Sequence, residues 1–192
     1  MLKRLFGRFV LVVVVVLGLW FVISHYHGNS QFGCQIHLVA DSGKEEQCPA
    51  TIAQAAGNAE WAADRISTIA GDPITTGLLY DQDGHEEKIG SGEGGTAYEQ
   101  AMKYLSDYSA VLGDQPRGKQ AAGHVEPKAA AMMRTAGQTD GVLLINNPSG
   151  PCPYASRIGC GRAMRLILPV GSTIVVWWPG GQHGSFEGIA RR

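Results

Sequence analysis

With 192 residues, 44% of them hydrophobic and 17% charged, the chain is long enough for one compact domain plus a tail or anchor, and its composition excludes wholesale disorder. A formal net charge of −1 argues neither for nor against a nucleic-acid partner. The charge is unevenly spread: residues 1–24 carry +3, residues 25–116 carry −10, and residues 117–192 carry +6, so the C-terminal segment is the basic folded part.

Lys3, Arg4 and Arg8 precede an uncharged run from Phe9 to Ile23 that contains the five valines Val12–Val16. The run is long for the core of a cleaved signal peptide and slightly short for a transmembrane helix. No small-x-small cleavage site follows in Ser24–Asn29, so residues 1–24 are expected to be an uncleaved signal-anchor. The positive flank would stay cytoplasmic and place the remainder outside, either anchored to the membrane or secreted. A buried core helix is the alternative.

Cys34 and Cys48 lie in a polar, acidic stretch with no histidine at metal spacing. In an oxidising compartment they can pair, closing a loop of about 15 residues worth about 3 kcal/mol in the chain-entropy description; in a reducing one they stay free thiols. From Pro49 to Ala70 the residues Ile52, Ala55, Ala56, Ala59, Ala62, Ala63, Ile66 and Ile69 recur at helical spacing, and Gly71-Asp72-Pro73 stops the pattern. Trp61 reads as a packing residue. Thr75–Tyr80 predicts a strand, Asp81-Gln82-Asp83-Gly84 a turn, and His85–Ile89 the returning strand. His85 is not counted as a ligand. Ser91–Gly95 is a loop without the Gly-Lys-Ser/Thr of a phosphate loop. Tyr98–Leu112 predicts a helix, and residues 113–123 a polar connector.

A helix resumes at His124, with Pro127 in its first turn and Gly137 at its end. This puts His124 and Glu126 at a helix N-terminus. Val142–Ile145 predicts a buried strand ending at Asn146-Asn147-Pro148. Cys152 follows in a loop, and Cys160 opens a helix running to Leu168, where the helix dipole is expected to lower a thiol pKa. Thr173–Trp178 predicts a second buried strand, broken by Pro179-Gly180-Gly181, and Phe186–Ile189 a short edge strand.

One imidazole and two thiolates leave a zinc ion an open position, the arrangement of a catalytic centre. A non-ligating carboxylate two residues from the histidine suits proton transfer to and from a zinc-activated water. The residues thus suggest His124, Cys152 and Cys160 as metal ligands for Zn2+ and Glu126 as the catalytic acid/base. His-x-Glu followed by Pro-Cys and a further Cys is the zinc-deaminase signature. The other reading of the same residues is a chance histidine beside a Cys152–Cys160 disulfide in a non-catalytic extracytoplasmic binding domain.

Between about Thr75 and Pro179 the sequence resembles the DddA-like bacterial deaminase toxins of the zinc-dependent cytidine deaminase superfamily. The resemblance is carried by Thr76-Gly77-Leu78-Leu79-Tyr80, by His124-Val125-Glu126 with its Ala-Ala-Ala-Met-Met-Arg continuation, by Ile145-Asn146-Asn147-Pro148, and by Leu168-Pro169 followed by Gly171-Ser172-Thr173. It implies a three-layer α-β-α sandwich of the cytidine deaminase type, here preceded by a membrane-spanning helix. It also implies zinc held by one His and two Cys, and hydrolytic conversion of cytosine to uracil. The chain departs from many deaminases in placing seven residues between Cys152 and Cys160 rather than two. The expected organisation is an anchor at 1–24, an extracytoplasmic linker and helix at 25–72, and a deaminase domain at 73–192. Asn147, Pro151 and Tyr154 are candidate substrate contacts. DNA is the favoured substrate, with RNA or a free nucleoside as alternatives. A chain that damages DNA also implies a cognate immunity protein.

Overall fold

The computed structural model describes residues 31–34, 48–108, 120–152 and 159–191. The expected anchor at 1–24 lies outside them. Among the described residues no helix is long and apolar enough to cross a membrane.

A five-stranded mixed sheet carries the fold, in the spatial order β2 (Glu86–Gly90), β1 (Thr76–Tyr80), β3 (Asp140–Ile145), β4 (Thr173–Trp178), β5 (Gln182–Glu187). Only the β3–β4 pair is parallel, and α5 (Cys160–Ile167) lies in the crossover between them. The three central strands are apolar on both faces because helices cover both. Leu78, Tyr80, Val142, Leu144 and Trp177 face one core with Trp61, Ile66 and Ile69; Leu79, Leu143, Ile145, Ile174 and Val176 face the other. The period of two is that of a pleated strand buried on either side.

On the first face lie α1 (Ile52–Gly57) and α2 (Ala59–Ile69). The single helix expected over Pro49–Ala70 is divided at Asn58, which adopts φ −103°, ψ 95° and accepts the Trp61 N–H on its Oδ1 at 3.0 Å. Gly57 is a poor helix former, and an asparagine next to it caps better than it propagates. Both helices precede residue 73, yet they form one of the layers that cover the sheet. Trp61 is buried as expected, and its Nε1 donates to Phe32 O at 3.0 Å. Phe32 stacks on Tyr80 and meets Trp61 edge-on, and Cys34 beside it is disulfide-bonded to Cys48. The first cysteine pair is therefore closed.

On the second face, α4 (Val125–Ala136) packs between α3 (Thr96–Ser106) and α5. Two strand glycines seat α4. An added Cβ at Gly77 would lie 2.5 Å from Val125, and one at Gly141 would lie 2.7 Å from the Met133 sulfur. Val125 and Met133 are two helical turns apart, so the helix rests on the sheet near both its ends. Arg134 stacks over Tyr104 at 4.3 Å and donates to Ile167 O, tying α4 to α3 and α5.

The β1–β2 hairpin closes at Asp81–Gly84 as expected. Asp81 Oδ1 accepts the Asp83 and His85 N–H groups, and its Oδ2 accepts Gln138 Nε2, so Asp81 closes the turn. The His85 side chain is exposed. The last strand runs Gln182–Glu187 rather than 186–189. Gly180 and Gly181, at φ +90° and +71°, make Pro179–Gly181 a tight hairpin turn that starts β5 early.

Candidate active site

The site forms where α4, the end of β3 and the start of α5 converge. His124 is the N-cap of α4 rather than its first helical residue; its backbone is extended (φ −80°, ψ 153°), and its side chain makes no capping hydrogen bond. The imidazole is thereby left for other partners. Gly77, by admitting Val125, sets how close this helix end comes to the sheet.

Asn146 holds the end of β3. Its Oδ1 accepts the Thr76 N–H at 2.8 Å, and its Nδ2 donates to Ile69 O and Ile74 O. The residue joins β1, β3 and the end of α2, a role that no local pattern announces because its partners lie more than 65 residues away in sequence. The next four residues turn sharply and lead to Cys152. Cys160 is the first residue of α5, behind the N-cap Gly159.

These elements bring the three sequence-predicted ligands together. His124 Nδ1 lies 3.0 Å from Cys160 Sγ and 3.6 Å from Cys152 Sγ, and all three donor atoms fall within 4.8 Å of one another. A tetrahedral zinc with Zn–S of about 2.3 Å and Zn–N of about 2.0 Å separates a nitrogen and a sulfur ligand by about 3.5 Å. The donor set and its spacing fit such an ion. Cys152 and Cys160 are both free, so the two do not form the disulfide of the alternative reading.

Glu126 sits in the first turn of α4 and is buried. Burial pushes its carboxyl above the ordinary 4.5, opposed by its own backbone N–H, the His124 charge and a hydrogen bond with Cys160. Burial likewise pushes the Cys160 thiol far up, and the Glu126 charge adds to the effect. Burial of the sulfur works against the thiol-lowering expected from the helix dipole. A metal held by these donors would remove the thiol proton outright.

The proposed substrate contacts divide. Pro151 is half-buried next to Cys152. Asn147 turns its amide inward, onto Gly150 O and the Ser149 N–H. Tyr154 lies outside the described residues. A separate cleft of about 600 Å³ opens between α3, α4 and β2, lined by Gly90, Gly95, Thr96, Lys128 and Met132 among others. Lys128 lies one turn along α4 from His124, and its Nζ donates to Gly90 O at 3.0 Å. Burial lowers its pKa.

No curated protein matches the sequence. The family model of the SCP1.201-like deaminases matches residues 44–190, a range that takes in both helical layers, the whole sheet, the buried Glu126 and the three converging donors. The chain belongs to the SCP1.201-like deaminase family.

Proposed function

We propose that the protein is a zinc-dependent deaminase that converts cytosine to uracil in DNA and acts as a bacterial toxin of the DddA-like kind. The observation that carries this reading is the convergence of His124, Cys152 and Cys160 beside a buried carboxyl that is not one of the donors. In it, His124, Cys152 and Cys160 hold the metal, which, when bound, supplies the acidity that makes water a nucleophile near neutral pH.

Glu126 handles the protons. Its carboxylate accepts a proton from the attacking water as oxygen adds to C4 of the base, then returns it to the departing amino nitrogen. Water and the amino-bearing base become the carbonyl base and ammonia, and the carboxyl ends as it began. Burial keeps its basicity above that of a surface glutamate, which suits a group that must both take and give a proton near neutrality. Pro151, next to Cys152, is a candidate rim contact, and Tyr154 is a second from its place in the sequence between the two cysteines. The +6 charge of residues 117–192 favours a polyanion over a free nucleoside.

Residues 1–24 would anchor the chain and leave the deaminase domain, residues 73–192 with its preceding helices, outside the cytoplasm. The closed Cys34–Cys48 bond accords with an oxidising compartment. A cognate immunity protein would protect the producing cell.

The test is the purified chain, metal-analysed and then incubated with cytosine-containing double-stranded DNA, single-stranded DNA, RNA and cytidine. Uracil formed in DNA, with about one zinc per chain and none formed by Glu126→Gln, supports the proposal. Uridine formed only from RNA or from cytidine replaces the substrate, and a metal-free inert chain overturns the whole reading.

A further inference from the structure

Two of the three donors at the site are fixed by helix ends, since His124 caps α4 and Cys160 opens α5. Cys152 belongs to neither helix. Its position depends on the backbone that leads to it from β3, and that backbone is a closed turn. Asn147 Nδ2 donates to Gly150 O at 2.8 Å, the Ser149 N–H donates to Asn147 Oδ1 at 3.2 Å, and the Gly150 N–H donates to Asn147 O at 3.0 Å. Pro148 locks one φ inside the turn and Pro151 another just past it.

The turn also has a floor. Gly150 adopts φ +69°, and an added Cβ there would lie 2.7, 2.8 and 3.0 Å from three atoms of the Trp178 indole. Glycine is thus required twice, by the left-handed backbone and by the ring beneath it. Trp178 ends β4, and its Nε1 donates to Gln182 Oε1 at 3.0 Å at the start of β5, which fixes the ring across the β4–β5 hairpin.

We propose that Asn147, Gly150 and Trp178, with Gln182 orienting the indole, are positioning residues that deliver the Cys152 thiol as the third metal donor. The inference rests on the metal reading above and extends it to residues that are not among the three donors. It gives Asn147, whose amide is engaged at both ends within the turn, a positioning role. A donor held in place beforehand costs little to order when the ion arrives, and partners beyond the ligands are worth about 10- to 100-fold in metal affinity.

The experiment compares full-length wild type with Asn147→Ala, Asn147→Asp, Gly150→Ala, Trp178→Ala, Trp178→Phe and, as reference, Cys152→Ser. Each chain is stripped of metal and checked for cooperative unfolding. It is then titrated with Co2+ by absorbance and with Zn2+ against a chromophoric chelator. The zinc Kd is expected to rise about 10- to 100-fold in Asn147→Ala and Trp178→Ala. Trp178→Phe should restore most of the loss, and the thiolate-to-cobalt band should weaken toward that of Cys152→Ser. Asn147→Asp keeps the acceptor for Ser149 and removes the donor to Gly150, so it and Trp178→Phe carry the test where Gly150→Ala fails to fold. Folded variants with wild-type zinc affinity and an unchanged cobalt spectrum overturn the inference and leave the metal reading standing. A wild type that takes up neither metal overturns both.

Discussion

The four cysteines form two pairs that the fold treats in opposite ways. Cys34 and Cys48 are joined, and the bond ties the Phe32 segment, packed on Trp61 and Tyr80, to the residues that lead into α1. Cys152 and Cys160 are free, although their sulfurs lie within 4.8 Å of each other and of His124 Nδ1. The surroundings of the sulfurs differ as well. At the second pair an imidazole and a buried carboxyl face the thiols, and burial pushes the Cys160 thiol up. One pair is a fastener for the layer on the first face of the sheet, and the other, beside His124 on the second, is a candidate pair of metal donors.

The comparison can be broken at either end. The largest effect is expected from Glu126→Gln, which should lower deamination by about 10²- to 10⁴-fold, the usual worth of a positioned acid/base, while zinc content stays at the wild-type level. Initial rates and metal analysis on one preparation check both halves. Cys34→Ser with Cys48→Ser should do the reverse. Loss of a cross-link across 14 residues costs about 3 kcal/mol, or roughly 6–12 °C in melting temperature for a domain of this size, with zinc content unchanged. Calorimetry with and without reductant reads it, and a reductant-insensitive wild type would mean that the pair is not closed in solution.

Gly77→Ala should cost about 1–3 kcal/mol, because its methyl meets Val125 and lifts the helix end that carries His124. Denaturant titration measures the loss. The smallest effect concerns Glu126 itself. Burial raises its carboxyl above the unfolded-state 4.5, so the folded metal-free chain keeps a proton that the unfolded chain releases. Metal-free wild type therefore loses stability as pH rises from 4.5 through the raised value. Metal-free Glu126→Gln should melt higher than metal-free wild type at pH 7 and lose that advantage below pH 4.5. Melting curves of both metal-free chains across pH 4–8 show whether the gap closes.

Much of the frame is legible locally. Val142–Ile145 and Thr173–Trp178 read as buried strands because short apolar runs bounded by turn residues have few other uses. Gly137 ends α4 with φ +71°, where glycine meets little strain. Asp81–Gly84 closes a hairpin through contacts within four residues. The break at Asn58 is hidden in the sequence because alanines keep their helical spacing across it, and the start of β5 is hidden because Pro179–Gly181 reads equally as an end and as a turn.

At the site, the amino-acid sequence by itself determined the inventory: His124 and Glu126 at a helix start, and two later cysteines with seven residues between them. Only the tertiary structure decided what the inventory does. Whether Cys152 meets Cys160 or both meet His124 depends on β3 and β4 lying parallel with α5 between them. The protonation of Cys160 depends on how much protein buries it. The Asn147 amide bonds within its own turn, above an indole from a strand that begins 26 residues later. Spacing along a chain names donors; desolvation and long-range packing fix their direction and their charge, and those exist only once the layers have closed.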